Sequence, residues 1–154
     1  MAESLIISLN SDDLVARLAA DCALIDAGAV EPLLALLNDT ANPNEARWRA
    51  AADLGDIGDE AALDALITAA GDPSWDVRAS AIWALGRLRG EKAFATLHTI
   101  VENPTPDEQN SYVAAMGLLH LDPPRAVEIL RRAAASSNPR IRSWGRSALA
   151  NLEF

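Results

Sequence analysis

Val77-Arg78-Ala79-Ser80-Ala81-Ile82-Trp83-Ala84-Leu85-Gly86 is the clearest copy of a pattern that runs through the chain. Its apolar residues Val77, Ala81, Ile82 and Leu85 stand at i, i+4, i+5 and i+8, which is one face of an α-helix. Upstream, Arg47, Leu54 and Gly55 occupy the places of Arg78, Leu85 and Gly86; downstream, Gln109, Met116 and Gly117 do the same. Arg142, Leu149 and Ala150 continue the columns in a last copy, and Ile57, Leu88, Leu119 and Leu152 close a further helical turn. Several columns that agree at a step of about 31 residues identify an internal repeat.

Four dipeptides of one kind punctuate the same frame: Asn42-Pro43, Asp72-Pro73, Asn103-Pro104 and Asn138-Pro139. Asn or Asp followed by Pro predicts a helix N-cap with Pro at the first helical position, where a missing N–H costs nothing. Breaks follow each first segment at Gly58-Asp59, at Gly90 and at Asp122-Pro123-Pro124. Asp59 reads as a turn and cap residue there. Second segments then repeat the helical spacing with Leu63, Leu66, Ile67 and Ala70, with Phe94, Leu97 and Val101, and with Val127, Leu130 and Ala134. No segment alternates with the period of a half-buried strand.

Each unit is therefore a helical hairpin, and a lone hairpin cannot bury its apolar face. Neighbouring hairpins must stack, with small residues such as Ala50, Ala51, Ala81 and Ala84 and the recurring Gly letting first helices approach closely. The expectation is one all-α domain over 1–154, a right-handed α-α superhelix of about four hairpins plus a C-terminal capping helix. Its units run at about 11–41, 42–71, 72–102 and 103–137, with a half-unit at 138–152 and atypical ends.

Composition narrows the chemistry. A chain of 154 residues buries roughly 70% of its unfolded surface without help from disulfides. The single Cys22 excludes a disulfide scaffold and a multi-cysteine zinc module. No apolar run approaches 18 residues, so no membrane span is expected, and an N-terminus without a basic region points to a cytoplasmic protein. The net charge of −9 repels polyanions, so nucleic acid is not an expected partner. That charge is uneven. Residues 1–64 carry 13 acids against three Arg, whereas residues 125–146 carry six Arg against Glu128 alone. Such an end-to-end dipole steers an acidic partner to the C-terminal end or favours head-to-tail association, or is simply solvated surface.

Two blocks, Ala46-Arg47 through Asp59-Glu60-Ala61-Ala62 with Leu66, and Val77-Arg78 through Leu85-Gly86-Arg87-Leu88 with Ala93 and Leu97, resemble HEAT repeats. More narrowly, they are similar to the short HEAT-like repeats of phycobilisome (bilin) lyases. The resemblance covers about 40–152 and is specific for fold. It implies a scaffold or adaptor that binds a protein or peptide, with a tetrapyrrole-handling lyase subunit or chaperone as the alternative. It also implies that the column Arg47, Arg78 and Arg142 is a structural ladder reaching adjacent loops, with Asp72 and Asn103 as suitable acceptors. HEAT-like deoxyhypusine hydroxylases hold two irons on His-Glu pairs; here His98 precedes Thr99 and His120 precedes Leu121, which excludes that activity.

No residue set qualifies as catalytic, cofactor-binding or metal-ligating. Phosphate loops, dinucleotide fingerprints and nucleophile elbows are missing. The cluster Asp53, Asp56, Asp59 and Glu60 lacks the spacing of a calcium loop. His98 reads as a packed core histidine, and His120 as a helix-end residue. Cys22 reads as a buried thiol on an inward stripe with Leu14, Leu18 and Ile25.

Two surfaces are left for recognition. Second helices expose Glu31, Asp64, Ala95 and Glu128, then Ala35, Thr68, Thr99 and Arg132 one turn later, a row that lines the concave face in resembling solenoids. Asp64, Thr68, Thr99, Arg125, Glu128 and Arg132 are its candidate contacts. First helices place Trp48 and Trp83 at positions that the repeat normally leaves polar. Stacking sets Trp48 beside Ala79 and Ala52 beside Trp83, a convex apolar patch of Trp48, Ala52, Ala79 and Trp83 continued by Ala114. The patch suits a partner or self-association. Trp75 and Trp144 are expected to pack.

Overall fold

The computed structural model of the chain describes residues 2–9, 11, 13–103, 108–150 and 152. Among these residues there are α-helices, one short 3₁₀ turn and no strand. The helices are α1 (Ala2–Leu9), α2 (Leu14–Asp26), α3 (Val30–Asn38), α4 (Asn44–Ile57) and α5 (Leu63–Ala69). They continue with α6 (Trp75–Leu85), α7 (Glu91–Glu102), α8 (Glu108–Leu121), α9 (Pro123–Ala134) and α10 (Pro139–Ala150). α1 lies upstream of the position where the sequence frame begins its first unit.

Two layers result, as an α-solenoid requires. In the first, α2, α4, α6, α8 and α10 each pack on the next. In the second, α1, α3, α5 and α7 do likewise, while α9 closes on α8 and α10. The core is the seam between layers, filled by Leu24, Leu33, Leu54, Leu66, Leu97 and Leu130, all fully buried. Each such side chain contributes about 1.5–3 kcal/mol by leaving water.

The first layer is held at close range by absent side chains. A Cβ added at Gly86 would sit 2.6 Å from the Gly117 Cα, and one at Gly55 would sit 2.7 Å from the Ala84 Cβ. Gly58 does something else: at φ +72° it adopts the left-handed cap that ends α4, and Asp59 then accepts the Ala61 N–H at 2.9 Å to start the 3₁₀ turn.

Several local expectations are corrected. Asn138 does cap α10, accepting the Arg140 N–H at 3.0 Å. Earlier helices start later than their dipeptides: Pro43 (ψ 141°) is itself the N-cap of α4, and Ser74 is that of α6. Asp72 is otherwise engaged, with Oδ1 accepting the Ser74 N–H at 2.8 Å and Oδ2 taking Arg47. The cap expected at Asn103-Pro104 lies outside the described residues at Pro104. In α8 the buried positions Ser111, Ala114, Ala115 and Leu118 match Ala81, Ala84, Leu85 and Leu88 at a step of 30. That one-residue slip turns Ala114 into the core. In α2 the buried stripe is Ala20 and Leu24, so Leu14, Leu18 and Cys22 face outward. The inward face is rotated because α2 packs on α1 and α4 at once.

Candidate protein-binding surfaces

The arginine column joins loops to helices. Arg47, 6% exposed, donates from Nε to the Leu37 carbonyl at 3.0 Å and from Nη2 to the Asp72 carboxylate. Arg78 donates to the Asp72 carbonyl at 2.7 Å, and Arg142 to the Ser136 carbonyl at 2.8 Å. Arg17, which the repeat frame leaves out, has this geometry too, donating to the Ser11 carbonyl at 2.7 Å. Its place thirty residues before Arg47 is the signal that marks it. All four bond backbone carbonyls, with the Asp72 carboxylate added at Arg47 and Glu45 3.8 Å from Arg17. They fix the turns between hairpins.

The first-helix face differs. Trp48, Ala52, Ala79 and Trp83 all line one groove of about 430 Å³, together with Trp75, Asp76, Ser80 and Val113. Trp75, Ala79 and Trp83 fall at i, i+4 and i+8 of α6, so one stripe supplies most of the wall. Trp75 is 44% exposed and Trp83 41%, while Trp48 is half-buried. The expected packing of Trp75 is thus corrected: it stands on the open stripe, and its spacing from Trp83 carries that information. Trp144, by contrast, is buried. Val113 replaces Ala114 as the α8 contribution, a consequence of the register slip. Guanidiniums already lie against two rings, Arg49 at 4.9 Å from the Trp48 centroid and Arg87 at 4.8 Å from that of Trp83. Both arginines are also salt-bridged, Arg49 to Asp21 at 2.6 Å and Arg87 to Asp56 at 2.9 Å.

Every candidate on the second-helix row is exposed, and most are satisfied by neighbours. Asp64 pairs with Lys92 of the next hairpin, and Arg125 grips Glu91 through two bonds of 2.9 and 2.7 Å. The Arg125 guanidinium also lies 3.9 Å from the Phe94 centroid. Its contact holds the Glu91 carboxyl below the usual range. Thr68 and Thr99 return their hydroxyls to the carbonyls of Asp64 and Ala95 at 3.0 and 2.9 Å. Arg132 lines a smaller cavity of about 270 Å³ with Ile129, Ile141 and Trp144.

The acidic cluster of the sequence does not converge. Asp56 pairs with Arg87, Asp59 caps the 3₁₀ turn, and Asp53 turns inward. Asp53 is 5% exposed and its Oδ2 has no hydrogen-bond partner. Burial pushes its carboxyl up to about 8, with repulsion from Asp21 and Asp56 adding and Arg49 opposing. It is therefore protonated at neutral pH. His98 is half-buried, not in the core, with Nε2 3.0 Å from a Glu102 oxygen; His120 lies in the last turn of α8 and is exposed. No group of three or more His, Cys, Asp or Glu among the described residues is arranged to hold a metal ion. No described helix is long and apolar enough to cross a membrane.

Stacked hairpins with an open aromatic stripe define an α-solenoid. A family model described as HEAT repeats matches residues 30–111, more than half of the chain. The chain belongs to the HEAT-repeat family. Its fold is similar to a chain of the complex of CpcE and CpcF of phycocyanin lyase from Nostoc sp. PCC7120, at 23% identity and a TM-score of 0.65 over 99% of this chain. This chain spans 65% of that chain's length. An engineered protein is similar at 21% identity and a TM-score of 0.55, covering 98% of this chain and 78% of its own. A designed armadillo repeat protein in complex with peptide (KR)4 is similar at 19% identity and a TM-score of 0.53, covering 97% and 80%. No curated protein matches the chain.

Proposed function

We propose that the chain is a non-catalytic interaction module, a small HEAT-repeat scaffold or adaptor whose first-helix groove binds another protein. The observation that carries this reading is the groove itself: three indoles, two of them more than 40% exposed, line one cleft. Leaving such rings in water is costly, and Trp is enriched at binding hot spots. Solenoids of this fold hold other chains, as the lyase complex and the peptide-bound armadillo protein do. The second-helix row, Asp64, Thr68, Thr99, Arg125, Glu128 and Arg132, is the secondary surface.

Affinity capture with wild type and with Trp83→Arg tests the assignment. The expected outcome is a partner retained by wild type and lost with the variant, while circular dichroism stays the same. Identical capture by both removes the groove from the function. Light scattering at two concentrations separates self-association from a foreign partner.

The alternative is a subunit or chaperone of the phycobilin lyase type, handling a tetrapyrrole or its carrier protein. The similarity to the phycocyanin lyase chain over nearly all of this chain supports it at the level of fold. An absorbance shift on mixing with phycocyanobilin is the expected sign, and an unchanged bilin spectrum rejects it.

A further inference from the structure

Asp76 lies in the first turn of α6, is exposed, and lines the tryptophan groove. It makes no hydrogen bond or ion pair among the described residues, in contrast to Asp56 and Asp64. Around it stand Trp75 and Trp83 on the same helix and Trp48 across the cleft. Indole faces attract cations, and a guanidinium, weakly hydrated and planar, stacks on them better than an ammonium. Two of these rings already accept guanidiniums from the chain itself, at 4.9 and 4.8 Å.

We infer that the groove is a cation-recognition site, and that its occupant is an arginine side chain presented by a partner protein. The inference deepens the interaction-module reading and rests on it. Asp76 is what selects the occupant. An apolar side chain filling the cleft desolvates that carboxylate and leaves it unpaired, a cost that grows as water is excluded. An arginine supplies two parallel donors to the carboxylate while its plane lies on an indole. Arg49 and Arg87 do not serve this purpose, since Asp21 and Asp56 hold them. A second copy docking by the same face would bring a second Asp76 into the interface and no free guanidinium from either groove to answer the two carboxylates, because a two-fold contact uses the same patch on both copies. Charge therefore favours a foreign arginine over a symmetric dimer.

The test uses the whole chain, labelled with ¹⁵N at its four tryptophans, and two probes: N-acetyl-arginine amide and the uncharged isostere N-acetyl-citrulline amide. The buried Trp144 is an internal control. Titration with the arginine probe is expected to move the indole N–H signals of Trp48, Trp75 and Trp83 saturably and leave Trp144 in place. The citrulline probe is expected to move none of them. Asp76→Asn should raise the dissociation constant for arginine at least several-fold, with an unchanged far-UV spectrum. Equal shifts with both probes overturn cation recognition and leave the groove as an apolar dock; an Asp76→Asn variant that titrates like wild type overturns the claim that Asp76 selects the occupant. If neither probe moves an indole, cation recognition falls; if Trp83→Arg also captures the same partners as wild type, the interaction reading falls with it.

Discussion

The two outer surfaces of this solenoid are built from the same kind of helix, and both pair charges between neighbouring helices, as Arg87 and Asp56 do on the first, yet they differ in what they leave open. Along the second helices, charges of one hairpin are answered by the next, as Lys92 answers Asp64 and Arg125 grips Glu91. On the first helices, Trp75, Trp83 and Asp76 remain open to solvent in a shared cleft. The lesson is that exposure alone does not mark a recognition surface. What matters is whether the molecule has already satisfied the groups that it exposes.

Perturbations scaled by burial sharpen that contrast. Arg47→Ala is expected to have the largest effect, since it leaves Asp72 buried without its charged partner; about 3–5 kcal/mol should be lost in urea unfolding. A loss under about 1 kcal/mol would mean that Arg47 does not tie the hairpins together. Gly86→Leu forces a side chain into the 2.6 Å approach of α6 and α8. It should cost about 1–3 kcal/mol and also disturb the groove, because Trp83 and Val113 flank that crossing. A variant as stable as wild type would show that the first layer can separate freely.

Asp53→Asn probes the hidden side of α4. In the unfolded chain the carboxyl releases its proton near 3.8, whereas the fold retains it up to about 8. The folded state therefore binds the extra proton, and wild-type stability should fall as pH rises from about 4 to 8, then level off. Asp21, whose carboxyl burial also raises against the pull of Arg49 and Arg17, adds to the same slope. The Asn variant should match wild type near pH 4 and exceed it near pH 9 in thermal melts. Parallel melting curves at all pH values would refute a neutral Asp53. The smallest effect belongs to the second-helix row: the double variant Lys92→Ala, Arg125→Ala exchanges solvent-screened pairs for water and should leave the melting midpoint unchanged. A large drop there would reverse the ranking of the two faces.

Much of the groove is legible in the amino-acid sequence alone. Trp48 and Trp83 occupy places that the repeat leaves polar, and the frame sets Ala79 and Ala52 beside them; all four line the cleft. Trp75 escapes that reading because it stands at the helix start, the first residue of α6 after the Ser74 cap. Its i, i+8 spacing from Trp83 is the signal that sets it on the open stripe. Apolar spacing alone turns Cys22 inward with Leu14 and Leu18, and the fold does the reverse. A helix touching two neighbours selects its buried face by their positions, and here that face is Ala20 and Leu24.

Residues recurring at a fixed period gave away the all-helical repeat, the Gly and Ala columns that admit close crossings, and the existence of an arginine column, whose structural role was only what the resemblance to HEAT repeats implied. The register of α8, which buries Ala114 and presents Val113, and the inward turn of Asp53 emerge only when the helices pack. Those outcomes depend on how one helix settles against another, and a shift of a single residue rotates a helical side chain by about 100° without altering any local pattern.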